Sequence, residues 1–160
     1  MDLTFLSEAE ETGIMNASAN SQMHEQSGSG KDDVIIVGAG FAGIYMLHRL
    51  REAGFRVKCF ESGSRPGGTG YWNRYPGTRC DIHSLAYSYS FSNEFEQDWE
   101  WSELYAAQPE IERYANHVAD PFDLRSSIQF NTRIASCAYD EAARTWTVTR
   151  RWCTCTAGVQ

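Results

Sequence analysis

The sequence predicts an α/β fold built on a parallel sheet, and three observations carry that prediction. A β-branched run, Val34-Ile-Ile-Val37, has the composition of a strand covered on both faces. Directly behind it stands Gly38-Ala-Gly-Phe-Ala-Gly43, a G-x-G-x-x-G spacing. One helical stretch later, Arg56 to Phe60 reads as a second short strand, closed by Glu61. Strand, glycine turn, helix and strand in this order make a Rossmann-like unit that binds a dinucleotide such as FAD or NAD(P).

Each part of that unit has its own reason. Gly38 permits the tight turn, Gly40 lets a pyrophosphate approach the backbone, and Gly43 lets helix and strand pack closely. The helix behind the turn, Phe41 to Ala53, carries Ile44, Leu47 and Leu50 at roughly helical spacing and stops at Gly54. Its N-terminal amides and positive dipole end would face the phosphates. Glu61 lies eighteen residues beyond Gly43. An acid there accepts hydrogen bonds from ribose hydroxyls and repels a 2'-phosphate, which favours FAD or NAD over NADP; a solvated strand-end acid is the plainer alternative.

Residues 1 to 31 form a separate stretch, rich in Ser, Asn, Glu and Gln and ending in Gln-Ser-Gly-Ser-Gly-Lys. Its composition predicts a disordered acidic extension in which Leu3 to Glu11 could make one short helix. Residues 1 to 30 hold five acids and no Lys or Arg, so of the net charge of -7 only -2 falls on the remainder. A nearly neutral domain offers no basic footprint for nucleic acid and no cationic face for a membrane. No apolar run approaches the roughly 20 residues that cross a bilayer, and the N-terminus lacks the pattern of a secretory or mitochondrial leader, so a cytoplasmic location is expected. The cysteines at 59, 80, 137, 153 and 155 are odd in number and scattered. They are expected to be reduced thiols, with neither a disulfide framework nor a metal site.

After Glu61 comes a long loop, Ser64 to His83, which combines Gly67, Gly68 and Gly70 with Tyr71, Trp72 and Tyr75, a Pro76-Gly77 turn, and the charges Arg74, Arg79 and Asp81. Gly-Gly-Thr offers bare backbone amides and one hydroxyl to a second phosphate or a ribityl chain, and Trp72 and Tyr75 could wall a flat ring. An Ω-loop packed on its own aromatics would have the same composition. Beyond it, Tyr87, Tyr89 and Phe91 alternate with serines, the period of a half-buried strand or extended segment. Residues 94 to 103 interleave acids with Trp99 and Trp101, as a solvated face with two anchored rings or as a partner surface. Pro109 opens a helix with Ile111, Tyr114, Ala115 and Val118 on one face and Pro121 beyond its end. Ser127 to Phe130 reads as a strand, and Ile134 to Tyr139 with Thr145 to Thr149 reads as a hairpin turning at Asp140 to Arg144, with Trp146 and Val148 on its apolar face.

The string Gly67-Gly-Thr-Gly-Tyr-Trp-Asn-Arg-Tyr-Pro-Gly-Thr-Arg-Cys-Asp-Ile-His-Ser84, behind the first glycine turn and Glu61, resembles the N-terminal FAD-binding segment of the Baeyer-Villiger monooxygenases, the class B flavoprotein monooxygenases. The likeness runs from about Asp33 to Val148, through Gln108-Pro-Glu-Ile111, Val118-Ala-Asp120 and Phe122-Asp-Leu-Arg125. The resemblance implies that Gly38, Gly40 and Gly43 hold the pyrophosphate of FAD and Glu61 its adenosine ribose. It implies that Thr69, Gly70, Tyr71 and Trp72 line the flavin side and that Asp81 and Tyr87 sit beside the isoalloxazine. Arg79, Cys80 and Asp81 would border the nicotinamide of NADPH, and the strand backbone at Ile134 would meet the adenine. Two positions depart from the family: Gly70, where Trp is most frequent, and His83, where many relatives carry Glu.

By the same resemblance the complete enzyme uses NADPH and O2 to insert one oxygen beside a ketone carbonyl. Its alternatives are a relative that oxidises nitrogen or sulfur, and a non-enzymatic dinucleotide-binding or interaction fragment. The likeness ends at Val148, and residues 150 to 160 lack the apolar return strand and glycine turn the family would have next. The chain also lacks a second G-x-G-x-x-G and the family's F-x-G-x-x-x-H fingerprint. The expected organisation is therefore an acidic extension (1–31), an incomplete FAD-binding domain with a β-hairpin (meander) insertion (32–149), and a frame-shifted or intron-derived tail (150–160). No catalytic residue and no metal ligand is expected within it, and the sequence leaves the oligomeric state open. Alone, the chain is expected to bind FAD weakly or not at all and not to turn over.

Overall fold

The computed structural model describes residues 2–6, by their backbone, together with 32–91 and 97–152. The central sheet is parallel, in the order β2-β3-β4, with β2 at Val34–Val37, β3 at Val57–Phe60 and β4 at Ile128–Gln129. Val34 pairs with Val57 and Val37 with Phe60, so the two strands end level, at the glycine turn and at Glu61. The helix between them, α1 (Phe41–Glu52), buries Ile44, Leu47 and His48. It ends where the sequence places its stop: Ala53 caps it, Gly54 takes a φ of 85°, and the Phe55 amide donates to the carbonyl of Leu50.

A one-turn helix α2 (Thr69–Trp72) interrupts the long loop. Helix α3 (Gln108–Ala119) starts one residue before Pro109 and buries Ile111, Tyr114, Ala115 and Val118, the four apolar positions that its spacing assigns to the core. These side chains, with Ala39, Ile44, Leu47, Val57, Cys59, Ala119, Leu124 and Ile128, form the main core. The second sheet has the order β1-β6-β5, with β1 at Asp2–Leu6, and its strands β5 (Thr132–Asp140) and β6 (Thr145–Trp152) are the expected hairpin, longer at its open end. Asp140 closes its turn by accepting the amides of Ala142 and Ala143, each at 2.9 Å.

Two expectations change. Residues 3–6 are not helical: Asp2–Leu6 is a strand, β1, pairing in parallel with β6 from Asp2 opposite Thr145 to Leu6 opposite Thr149. The rest of the 1–31 extension, with Cys153, Cys155 and the end of the tail, lies outside the described residues. Strand β6 runs past the expected boundary at 150, through Arg150 and Arg151 to Trp152. Val148 is buried as expected, but Trp146 on the same hairpin is exposed and lies against Tyr139, 5.2 Å between ring centroids.

The alternating stretch 87–91 joins no sheet. Ser84–Tyr87 is a 3₁₀ turn, and the Tyr89 amide donates to the phenol of Tyr114 at 2.8 Å rather than to a strand neighbour. Its rings stack instead: Tyr89 lies 5.4 Å from Phe41 and 6.0 Å from Tyr114, and its hydroxyl donates to the Phe41 carbonyl at 2.6 Å. Of the acid and aromatic run, Glu94 and Glu96 are outside the described residues, while Trp99 and Trp101 pack on Tyr114 as anchored rings. Among the described residues no helix is long and apolar enough to cross a membrane.

Candidate dinucleotide site

The site begins at the C-terminal edge of β2. Gly38 adopts a φ of 96°, a conformation side chains rarely take, and its amide donates to the carbonyl of Phe60 at 2.7 Å, tying the turn to β3. A Cβ on Gly43 would lie 1.9 Å from the Gly38 carbonyl oxygen, so helix and turn meet at a distance only glycine allows. The amides of the first turn of α1 have no partner within the helix and open toward this bend.

Glu61 is buried, 4% exposed, at the end of β3. One carboxylate oxygen accepts the amide of Ala39, inside the glycine turn, at 2.6 Å. The other accepts the amide of Gly63 at 2.6 Å and the hydroxyl of Ser62 at 3.3 Å. These are charge-assisted bonds, and they hold the carboxylate against the first glycine turn. The solvated strand-end alternative fails, since the group is enclosed. Two backbone amides and the Ser62 hydroxyl use three of its about four lone-pair positions, which leaves one, on the oxygen facing Ala39, for a sugar hydroxyl. The Glu61 backbone is equally fixed: its amide donates to Gln129 and its carbonyl accepts from Thr132, both at 2.9 Å.

The second glycine group packs directly on the first. The Gly67 amide donates to the Ala39 carbonyl at 3.1 Å, and a Cβ on Gly68 would stand 2.8 Å from the Cα of Gly40. Gly40 therefore owes its missing side chain to Gly68 as well as to any phosphate. The Gly67 amide, expected to be open to a ligand, is committed to this contact. Gly68 sets the start of α2, and its carbonyl accepts the amides of Tyr71 and Trp72.

The expected flavin-side residues divide into two groups. Cys80, Asp81 and Tyr87 come together: burial raises the Tyr87 phenol above its usual range, and the adjoining Cys80 and Asp81 push the same way. Tyr87 also meets the ring of Phe41 edge-on at 5.4 Å, which joins this cluster to the first residue of α1. Thr69 and Trp72 are exposed, Trp72 by 58%. Tyr71 turns inward: it lies under Gly63, where a Cβ would sit 2.7 Å from its ring, and its hydroxyl bonds Ser64. That hydrogen bond holds its phenol below the usual range. Gly70 faces α3, with Ile111 3.6 Å from where its Cβ would be.

Two expected residues stand apart. Arg79 is committed to the Glu103 carboxylate and to the Tyr105 carbonyl at 3.1 Å. Ile134 is half-buried in β5, two residues beyond Thr132, and pairs with Arg150. Sequence reasoning missed Ala39, Gly63 and Phe41, whose roles are played by backbone or by a ring that only the folded chain aligns. It also missed the polar edge of α3, which holds the α2 loop. Cys59 and Cys80 are buried thiols and Cys137 an exposed one. Among the described residues no cluster of His, Cys, Asp and Glu could hold a metal.

Residues 36–106 match the family of NAD(P)-binding Rossmann-like domains. The acetone monooxygenase (methyl acetate-forming) of Gordonia sp. is 45% identical over 117 residues, 73% of this chain and 22% of that protein. The phenazine N-monooxygenase of Lysobacter antibioticus is 48% identical over 118 residues, again 73% and 22%. Among solved structures, an oxidized steroid monooxygenase bound to NADP is 57% identical with a TM-score of 0.73, covering 74% of this chain and 23% of that one. An open cyclohexanone monooxygenase is 42% identical with a TM-score of 0.70, over 72% and 23%. The chain thus spans under a quarter of the length of the relatives it matches, and over about three quarters of its own length it is similar to the dinucleotide-binding segment of Baeyer-Villiger and related flavoprotein monooxygenases.

Proposed function

We propose that this chain is the FAD-binding segment of an NADPH-dependent monooxygenase that inserts one oxygen of O2 next to a ketone carbonyl. The observation that carries the reading is the enclosed Glu61 carboxylate on the Ala39 amide, beside a bend in which Gly43 has no room for a Cβ and Gly38 takes a φ that side chains rarely adopt. The residues present fit the cofactor. The amides at the start of α1 take the pyrophosphate between Gly38, Gly40 and Gly43. The remaining lone pair of Glu61 receives a ribose hydroxyl, the start of β5 near Ile134 faces the adenine, and Asp81 and Tyr87 border the flavin with Thr69, Gly70, Tyr71 and Trp72 on its far side. When bound, the flavin supplies the redox chemistry with NADPH and O2. The segment's own work is to bind, orient and keep water from the ring, with Arg79, Cys80 and Asp81 toward the nicotinamide. The proposed divisions remain an extension before residue 32 and a domain to about 149, in a cytoplasmic protein.

A second reading, oxidation of an aromatic ring nitrogen, is favoured by one observation: the phenazine N-monooxygenase is as similar as the ketone-oxidising relatives. The site described is cofactor chemistry and common to both. Equilibrium titration of FAD against the purified 160-residue chain tests the shared reading. Weak, saturable quenching of flavin fluorescence or none is expected, without ketone-dependent NADPH oxidation; stoichiometric flavin with ketone-dependent turnover by this chain alone overturns that expectation, and a polypeptide continuing to the length of the relatives that takes up no flavin refutes the FAD-binding reading. A polypeptide continuing to the length of the relatives, assayed with a cyclic ketone and with phenazine, separates the two substrates.

A further inference from the structure

One edge of α3 carries Gln108, Glu112 and Asn116 at i, i+4 and i+8, and all three reach the loop that contains α2. The Gln108 amide donates to the Gly70 carbonyl at 2.5 Å and to Glu112 at 2.9 Å. The Asn116 amide donates to the Pro66 carbonyl at 3.4 Å. Between them the Glu112 carboxylate, only 12% exposed, takes Arg65 at 2.5 Å and Arg74 at 3.1 Å on one oxygen. Both guanidinium groups also stand over the ring of Tyr71, 5.8 and 4.6 Å from its centroid. That ring lies against Gly63, the Cβ and backbone of Tyr71 lie against Gly67, Gly67 is bonded to Ala39, and Gly68 touches Gly40.

We propose that Glu112 is a positioning residue, which gathers Arg65 and Arg74 into one place and so orders the Gly67–Trp72 turn against the first glycine bend before any cofactor arrives. Two like charges on one ring repel unless a carboxylate lies between them, and Glu112 is the acid that the geometry supplies to both. Uncharged, position 112 leaves the guanidinium groups to separate, and the loop that carries the flavin-side residues separates with them. The functional meaning rests on the FAD-binding reading; the geometry does not.

Amide hydrogen exchange on the cofactor-free full chain, followed by mass spectrometry, tests the ordering. Glu112→Gln is expected to speed exchange across 64–74 at least tenfold and to leave 34–60 unchanged. The double variant Arg65→Gln/Glu112→Gln, which removes the uncompensated charge, is expected to recover most of the protection. Unchanged exchange in Glu112→Gln, an equal increase along the whole chain, or no recovery in the double variant overturns the proposal. FAD titration then reads the consequence: about tenfold weaker binding in Glu112→Gln, restored in the double variant, supports it, and equal affinity refutes its functional half. Should a polypeptide continuing to the length of the relatives take up no flavin, the FAD-binding reading falls, and the exchange result alone decides the role of Glu112.

Discussion

Glu61→Gln separates a carboxylate that only waits for a ribose from one that builds the site. The side chain keeps its shape but exchanges one acceptor oxygen for an NH2 group. In the fold both oxygens face backbone donors, Ala39 and Gly63, each at 2.6 Å. One amide therefore meets a donor and is left buried without a partner, a loss of about 1–3 kcal/mol. The retained bond falls from charge-assisted to neutral strength, a further loss of about 1 kcal/mol. Against this, an amide is less costly to bury than a carboxylate, which returns part of the sum. The net is about 2 kcal/mol, or roughly 8 °C of melting temperature for a domain of this size. The assay is thermal unfolding by circular dichroism with no flavin present, because the effect arises from the backbone contacts alone. A cofactor-free melting point within about 2 °C of the unaltered chain, the range of an ordinary surface change, would refute the reasoning.

The two ends of the first glycine bend should respond differently to a methyl group. Gly43→Ala drives its Cβ to 1.9 Å from the Gly38 carbonyl and is expected to abolish the folded circular dichroism signal. Gly38→Ala meets nothing within 4 Å, so only its φ of 96° opposes it, and urea titration should find a folded protein weakened by about 1–2 kcal/mol. Tyr89→Phe keeps the stack on Phe41 but loses the 2.6 Å bond to its carbonyl, and should cost about 1 kcal/mol in the same titration. Asp33 is held at a pKa of about 2 by hydrogen bonds from the Arg56 side chain and amide. Its folded value lies below its unfolded one, so its contribution is complete above pH 4 and fades between pH 4 and 2; Asp33→Asn should flatten acid unfolding in that window. Burial pushes the Cys59 thiol up to about 12 while Cys137 stands exposed. Mass mapping after brief alkylation at neutral pH should find Cys137 modified and Cys59 intact.

What could be read from the sequence was local. The glycine bend, α1 with its stop at Gly54 and the buried face of α3 follow from spacing, because each is decided within a few residues. The alternation at Tyr87, Tyr89 and Phe91 left a strand and an extended segment open because period two belongs to both, and here the amide of Tyr89 found a phenol and not a sheet. Residues 2–6 carried no pattern that names β6 as their neighbour, since that pairing joins the two ends of the described chain. At the site, the acid at 61 was legible, but its partners were not: the amides of Ala39 and Gly63 become donors to it only when β2 and β3 end level. The polar edge of α3 was hidden for a related reason. Its helical face could be assigned to solvent or to another segment, and the sequence of α3 alone does not distinguish them.

The end of β3 carries an implication for synthesis. Its neighbour β2 is made before it, yet the amide and carbonyl of Glu61 are satisfied by Gln129 and Thr132, far along the polypeptide. A nascent chain emerging from the ribosome possesses its phosphate bend long before the strand end that presents the carboxylate gains its second backbone neighbour. Translation must pass Thr132 for the cradle to close, so the interval between those events is when a chaperone would find the half-made sheet.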